Sequence, residues 1–309
     1  MSKILTVFGA TGNQGGSVIE AVLADPALSQ EYKIRGVTRD VSKAAARALA
    51  AKGVEMIEAD MSSADAAAPA VEGAHTVFIV TNFWETLSEA VEVSQGKAVT
   101  DASKAAGVKH IIFSSAINVS EASDGRLVHL RHFDGKAEVE RYIRQSGVYS
   151  TFIQPGVFMS GFHNAFFRKQ EDGGFRWAMP EGVKLHEAQL PLIDAAVDTG
   201  IFVKAALKLS SDADGKVILA ATDYYTPTRI IAEFAEGYGQ TVSYVEVPHE
   251  TYKSFLPPPA AQELLETMLL LQDPGYYAGA DLKPSLELLG ADAPTTWKAF
   301  VERNRAKWE

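Results

Sequence analysis

The first half of this sequence predicts a doubly wound α/β fold, a parallel sheet covered by helices on both faces, with a smaller lobe following it. Two observations carry that prediction. Short apolar runs alternate with amphipathic stretches of helical period, and several runs are apolar throughout, as strands buried on both faces are. A third points the same way: a glycine-rich turn sits directly between the first run and the first amphipathic stretch. At 309 residues the chain has room for one large α/β unit, or for a nucleotide domain carrying a second lobe.

The elements follow in order. Strands are predicted over 3–8, 33–38, 54–58, 76–80, 110–114 and 149–154, and helices over 13–24, 42–52, 64–71, 85–106 and 131–146. Asp40 or Ser42 is placed to cap the second helix, and the alanine-rich run after it has high helix propensity. Gly107 and Gly147 read as C-terminal caps. After Gln154-Pro155-Gly156 the texture changes to dense aromatics: Phe158, Phe162, Phe166, Phe167, Phe175 and Trp177. Beyond them the pattern predicts a helix over 192–207, a strand over 217–220 and helices over 227–238 and 260–271, the last preceded by a stiff Pro257-Pro258-Pro259 turn. A docking helix over 286–308, anchored by Trp297, Phe300 and Trp308, closes the chain; these aromatics are read as core rather than as a partner surface.

Composition excludes several functions. The net charge is −10, and counterion-driven nucleic-acid binding wants a basic face, so direct binding to DNA or RNA is not expected. There is no cysteine, hence no disulfide, thiolate metal site or thiol switch. His129 and His132 share a helix face without further ligands, so no metal is expected. The first eight residues are too short for a signal peptide and no segment approaches a membrane span. The expectation is a protein away from membranes, cytoplasmic, with the nucleus as the alternative.

Gly9-Ala10-Thr11-Gly12-Asn13-Gln14-Gly15 places glycines at three-residue spacing between the first strand and the first helix. That context is what dinucleotide binding requires: Gly9 for the tight turn, Gly12 for close approach of the pyrophosphate, Gly15 for packing of helix on sheet. The pyrophosphate then meets unsatisfied N–H groups at the positive end of a helix dipole, which makes this a Rossmann-type unit. Val37-Thr38-Arg39-Asp40 ends the second strand. Arg39, with Lys43 one turn on, suits the 2′-phosphate of NADP(H) better than the ribose hydroxyls of NAD, with Asp40 assigned to capping. Asp60, next to Met61 after the third strand, either hydrogen-bonds the adenine amine or serves a turn.

Read together, Gly9 to Val18, Val37-Thr38-Arg39, Ile79-Val80-Thr81-Asn82-Phe83-Trp84-Glu85 and His132-Phe133-Asp134-Gly135-Lys136-Ala137-Glu138-Val139-Glu140 resemble the NmrA-like family of atypical short-chain dehydrogenase/reductase proteins, in particular its NADPH redox-sensor branch. The last two blocks are the more specific, and weaker similarity runs across the C-terminal half. The resemblance implies an NADP(H)-binding Rossmann domain over 1–155, completed by a strand and helix near 216–238, and a smaller discontinuous α/β lobe over 156–309 for substrate or partner. It places Thr81, Asn82 and Phe83 at the nicotinamide ribose and Pro155, Gly156, Val157 and Phe158 beneath the nicotinamide. Family members include regulators that engage a GATA-type transcription factor, NADPH sensors that change association state, and true reductases.

Short-chain dehydrogenases pair a proton-donating tyrosine with a lysine four residues on. Here those positions are His132 and Lys136, on one helix face. Lys136 is expected to hold the ribose; His132 is either a general acid or a structural residue. Ser115, with Ser114, lies where relatives orient the carbonyl, but Ala116 follows where a working serine sits in some members, so the triad is incomplete. Asn118, Tyr224 and Tyr225 are the candidates to complete it. The first expectation is therefore a redox-responsive regulator acting through a transcription factor, another protein or a second copy of the chain as a homodimer. The alternative is an NADPH-dependent oxidoreductase that reduces a small apolar carbonyl, quinone or imine.

Overall fold

The computed structural model describes residues 2–210 and 213–309 and, for Asn164, the backbone alone; Met1, which opens the apolar N-terminal run, lies outside the described residues. Strands β1 (Lys3–Val7), β2 (Tyr32–Thr38), β3 (Glu55–Glu58), β4 (Thr76–Ile79), β5 (His110–Ser114) and β6 (Ser150–Pro155) alternate with helices α1 (Asn13–Ala24), α2 (Leu28–Glu31), α3 (Ala44–Ala51), α4 (Ala64–Val71), α5 (Glu89–Ala105), α6 (Val119–Ala122) and α7 (Arg131–Ser146). There follow β7 (Val157–Phe158), β8 (Phe167–Lys169), β9 (Phe175–Pro180), β10 (Leu190–Ile193), α8 (Thr199–Leu207), β11 (Lys216–Ala220), β12 (Asp223–Tyr225) and α9 (Pro227–Tyr238). The chain ends with β13 (Val242–Val247), α10 (His249–Ser254), α11 (Ala261–Leu270), α12 (Lys283–Glu287) and α13 (Trp297–Arg303).

The central sheet has seven strands in the order β11-β6-β5-β4-β1-β2-β3, all parallel. Its order reverses direction between β1 and β4, and ligands of such sheets bind in the crevice outside the strand ends at that switch. One face buries Leu5, Val18, Ile19, Phe202 and Val203, the other Phe8, Val99, Phe113, Val139 and Phe152. The fold is thus a doubly wound parallel sheet with mixed small sheets in the C-terminal part: β12-β10-β7 and β13-β9-β8. The second part has its own aromatic core, in which Phe162, Trp177, Phe234, Trp297, Phe300 and Trp308 are buried.

Several elements differ from the sequence pattern, each for a local reason. The helix expected from 192 begins at Thr199, because buried Leu190–Ile193 pairs with β7 and β12 as a strand. The helix expected from 85 begins at Glu89, where Ser88 accepts a hydrogen bond from Val91 N. Asp40 does not cap α3; its Oδ1 accepts from Ser42 N and Oγ, and Lys43 occupies the cap position. The expected terminal helix is two, with Thr296 capping the second. Strand β11 joins the large sheet beside β6, whereas α9 buries Ile230 and Phe234 in the other core. The helix laid on the large sheet is instead α8, packed against α1. Among the described residues no helix is long and apolar enough to cross a membrane.

Candidate active site

The glycine loop closes tightly. Gly9 has φ +67°, Gly12 N donates to Gly9 O at 2.9 Å, and a Cβ on Gly15 would lie 2.2 Å from Gly9 O. No side chain caps α1 and no acidic residue occupies its first turn. Its N-terminal N–H groups and dipole are therefore left for an external anion, with Thr11, Gly12 and Asn13 exposed around them. Gln14 turns inward, where its Oε1 accepts from Ser114 Oγ at 2.8 Å. These features fit a dinucleotide pyrophosphate.

Just past the end of β2 Arg39 is exposed and forms an ion pair with Glu85, and Asp60 lies close enough for their charges to interact. That carboxylate pair raises the guanidinium pKa further, the hydrogen bond to Glu85 being the larger cause. Asp60 Oδ1 accepts from Ser62 N at 2.7 Å, and hydrogen bonds from Ser62 hold its carboxyl below the usual range. Lys43 is exposed nearby, and Met61 is half-buried against the sheet core.

Thr81 and Lys136 meet on a residue the sequence did not single out. Glu92, on α5 and 1% exposed, accepts at Oε1 from Thr81 Oγ1 at 2.7 Å and from Lys136 Nζ; its Oε2 has no partner. Lys136 is thus held by a carboxylate beside the segment that carries Thr81, Asn82 and Phe83. Asn82 is exposed at the turn and Phe83 is buried.

His132, on the same face of α7 as Lys136, is held from two sides. Its Nδ1 lies 2.5 Å from Glu263 Oε1, and its backbone N donates to the same oxygen at 2.8 Å. His129 repeats the arrangement with Glu266 one turn along α11, its N donating to Oε2 at 2.8 Å. The two glutamates of α11 thereby cap α7 from a different part of the chain. The His132 ring sits among Phe83, Trp84 and Phe133, with centroids 5.8, 4.9 and 4.8 Å away. With Nδ1 on a carboxylate, Nε2 is the nitrogen left for a ligand.

That imidazole lines a cavity of about 650 Å³ with Trp84, Gly156, Val157 and Phe158. Its lining also includes Phe166, Arg168, Arg176, Tyr252, Phe255 and Met268. Pro155 stands at its edge, where its carbonyl accepts from Tyr276 Oη at 3.2 Å. The structure thus joins Thr81 to Lys136 through Glu92, packs Phe83 and Trp84 on His132, lines one cavity with His132 and Gly156–Phe158, and links the glycine loop to the end of β5 through Gln14 and Ser114.

It leaves others out. Ser115 donates its hydroxyl to Glu140, itself paired with Arg144, so Ser114 and not Ser115 faces the glycine loop. The three candidates to complete a triad are engaged elsewhere. Asn118 caps α6, Tyr224 Oη donates to Ala280 O at 2.7 Å, and buried Tyr225 accepts from Trp297 N at 3.2 Å. Sequence reasoning missed Glu92 and Glu263. The one signal was the matched spacing of His129 and His132 with Glu263 and Glu266, which acquires meaning only once α7 and α11 are packed.

The NmrA-like family model matches residues 1–301. An NmrA-like family domain-containing oxidoreductase, ptmS of Penicillium ochrochloron, is 31% identical over 271 residues, spanning 82% of this chain and 78% of the relative. A second, malD of Malbranchea aurantiaca, is 30% identical over 79% of this chain and 76% of its own length. Among solved structures, the negative transcriptional regulator NmrA superposes with TM-score 0.83 at 22% identity, covering 99% of this chain and 96% of that one. NmrA has also been solved with NAD and with NADP. An Escherichia coli NADPH-dependent quinone oxidoreductase, complexed with NADPH, superposes at 0.76 with 24% identity over 97% and 99% of the two chains. At these identities the superpositions speak to the fold.

Proposed function

Since this chain belongs to the NmrA-like family, we propose that it binds NADP(H) and uses it as an oxidoreductase on an apolar carbonyl, quinone or imine. The observation that carries the reading is the cavity that joins His132 to Gly156–Phe158, with Trp84 against the imidazole. A protein that only sensed the cofactor would not need an apolar chamber of substrate size there. The bound cofactors of NmrA and of the quinone oxidoreductase support the nucleotide, and the names of the curated relatives support the reaction class.

The uncapped α1 terminus binds the pyrophosphate, and Arg39 with Lys43 holds the 2′-phosphate. Lys136, kept in place by Glu92, lies within the crevice to meet the ribose hydroxyls. When bound, the reduced cofactor supplies hydride. His132 supplies the proton: Glu263 fixes Nδ1, so Nε2 is presented to the oxygen or nitrogen of the substrate. Glu263 acts through His132 and is a positioning residue.

The test is NADPH consumption across a panel of quinones, aldehydes, ketones and imines. His132→Gln is expected to lower kcat for carbonyl reduction by roughly a hundredfold or more, and Lys136→Ala to impair turnover substantially. Glu263→Gln should change the pH profile of kcat while leaving NADPH affinity alone. No turnover on any member of the panel, or full activity in Lys136→Ala, would overturn the reading.

A second reading has its own observation. The Arg39–Glu85 ion pair ties the adenosine end to the segment carrying Trp84. A 2′-phosphate competes with Glu85 for Arg39, giving that segment two arrangements with different cofactor affinity, which is what a regulator responsive to NADP(H) occupancy requires. A protein partner, or a second copy of the chain, would read the change. Identical association state with and without NADPH, in light-scattering runs on wild type and Glu85→Gln, would count against it.

A further inference from the structure

The wall of the cavity carries two exposed positive charges that no carboxylate among the described residues neutralises. Arg168 on β8 lies directly opposite Arg176 on β9 in an antiparallel pair. Alternation along the two strands sends Phe167, Phe175 and Trp177 into the aromatic core and turns Arg168, Arg176 and Ala178 to the cavity. Directly opposed side chains of such a pair lie roughly 5 Å apart at Cβ, and like charges there are destabilising.

Among the described residues neither guanidinium has an ion-pair partner; Arg47, Arg131 and Arg305 also lack one, but none of those three lines the cavity, whereas Arg35, Arg126, Arg144, Arg229 and Arg303 are paired. The chain carries a net charge of −10, yet among the described residues no aspartate or glutamate lines this cavity. Arg168 also acts electrostatically on the buried Tyr252 phenol, another lining group. Most of the rest of the wall, including Phe166, Phe255, Leu256 and Met268, is apolar, and its other polar side chains, among them Gln170 and Thr267, carry no carboxylate. A repulsive pair kept at one end of an apolar chamber is accounted for by a ligand that brings the missing charge.

We propose that the cavity takes an amphipathic organic anion, its ring-sized apolar body against Trp84 and Phe158 and its carboxylate between Arg168 and Arg176. The planar guanidinium fork matches a carboxylate in two parallel hydrogen bonds. The inference uses the reductase reading only to say which end is reduced, namely the end beside His132; binding of the anion stands without it.

Calorimetric titration of the full chain, saturated with NADP⁺, with 2-naphthoate and with neutral 2-naphthamide tests the proposal. The acid is expected to bind about tenfold more tightly than the amide, the scale of hydrogen bonds to charged groups. That ratio should fall to near one in the Arg168→Gln, Arg176→Gln double variant, with amide and NADP⁺ affinities unchanged. Equal binding of acid and amide, binding of neither, or a preference that survives the double variant would overturn it. NADPH oxidation with 6-formyl-2-naphthoate separates the two claims: acid preference without turnover of this aldehyde removes the reductase reading and leaves the anion site standing.

Discussion

Individual side chains decide what this crevice does, and Glu92 shows how. Its carboxylate is buried, shared between Thr81 and Lys136, and half unsatisfied. Removing one partner of such a pair typically costs about 3–5 kcal/mol, because a charge is left uncompensated in a poor solvent. Glu92→Gln and Lys136→Met are each expected to lose stability on that scale in urea unfolding, and the double variant to lose less than their sum; strict additivity would dissolve the pair. Two other buried groups set the response to pH. Burial pushes His110 down to about 4, so it is neutral when folded and charges readily only when unfolded. Its contribution is complete above about pH 6.5 and is lost as pH falls towards 4, by roughly 3 kcal/mol. Burial pushes Asp198 up to about 6, opposed by hydrogen bonds from Thr295. Its penalty is absent at low pH and grows as pH rises through about 4 to 6, again by roughly 3 kcal/mol. The two nearly cancel, so guanidinium unfolding should show Asp198→Asn losing stability relative to wild type as pH falls from 6.5 to 4. A constant difference would reject the assignment. At this scale the tight glycine turn was legible in the sequence because it depends on spacing within one strand-turn-helix unit. Glu92 and Glu263 were not: their partners lie 44 and 131 residues away, and no local pattern announces a charge that another element will bury.

At the scale of elements, α1 is fixed from behind by α8. A Cβ on Gly200 would lie 2.2 Å from Ser17 O, while Ser17 Oγ donates to Val197 O at 2.7 Å and accepts from Gly200 N at 2.8 Å. The helix that presents its N-terminus to the pyrophosphate is thus positioned by a segment 183 residues distant. Gly200→Ala is expected to cost about 1–3 kcal/mol or more by overpacking and to weaken NADPH binding through a displaced glycine loop. Unchanged NADPH affinity by fluorescence titration would uncouple α8 from the site. Strands such as β4, β5 and β6 could be read from apolar runs because burial on both faces writes itself into consecutive residues. The small sheets were not readable: β7 has two residues and β8 three, too few for any period to register. The helix expected from 192 failed for the same reason, since the short strand Leu190–Ile193 has the apolar composition of a helix start.

On the scale of the molecule, cofactor and fold are linked. A ligand that binds only the folded state stabilises it by about 2.7 kcal/mol at a concentration of 100 Kd. NADPH should therefore raise Tm more than NADH does, and Arg39→Asp should abolish that difference; equal shifts from both nucleotides in wild type would remove Arg39 as the discriminator. The overall class was legible because alternation of strand and helix persists for half the chain, whereas the crevice wall was not, being assembled from α7, β8, β9 and α11. The large sheet itself is completed late. Strand β6 ends at Pro155, but the neighbour that covers its outer edge, β11, is not reached until Lys216. A chain growing from the ribosome thus carries an apolar, unpaired strand edge, Phe152 and Ile153 included, for the time needed to add some sixty residues. During that interval its fate rests on whatever in the cell shields sticky nascent segments, so slow codons between these two strands should lower the soluble yield even though the finished protein is unaltered.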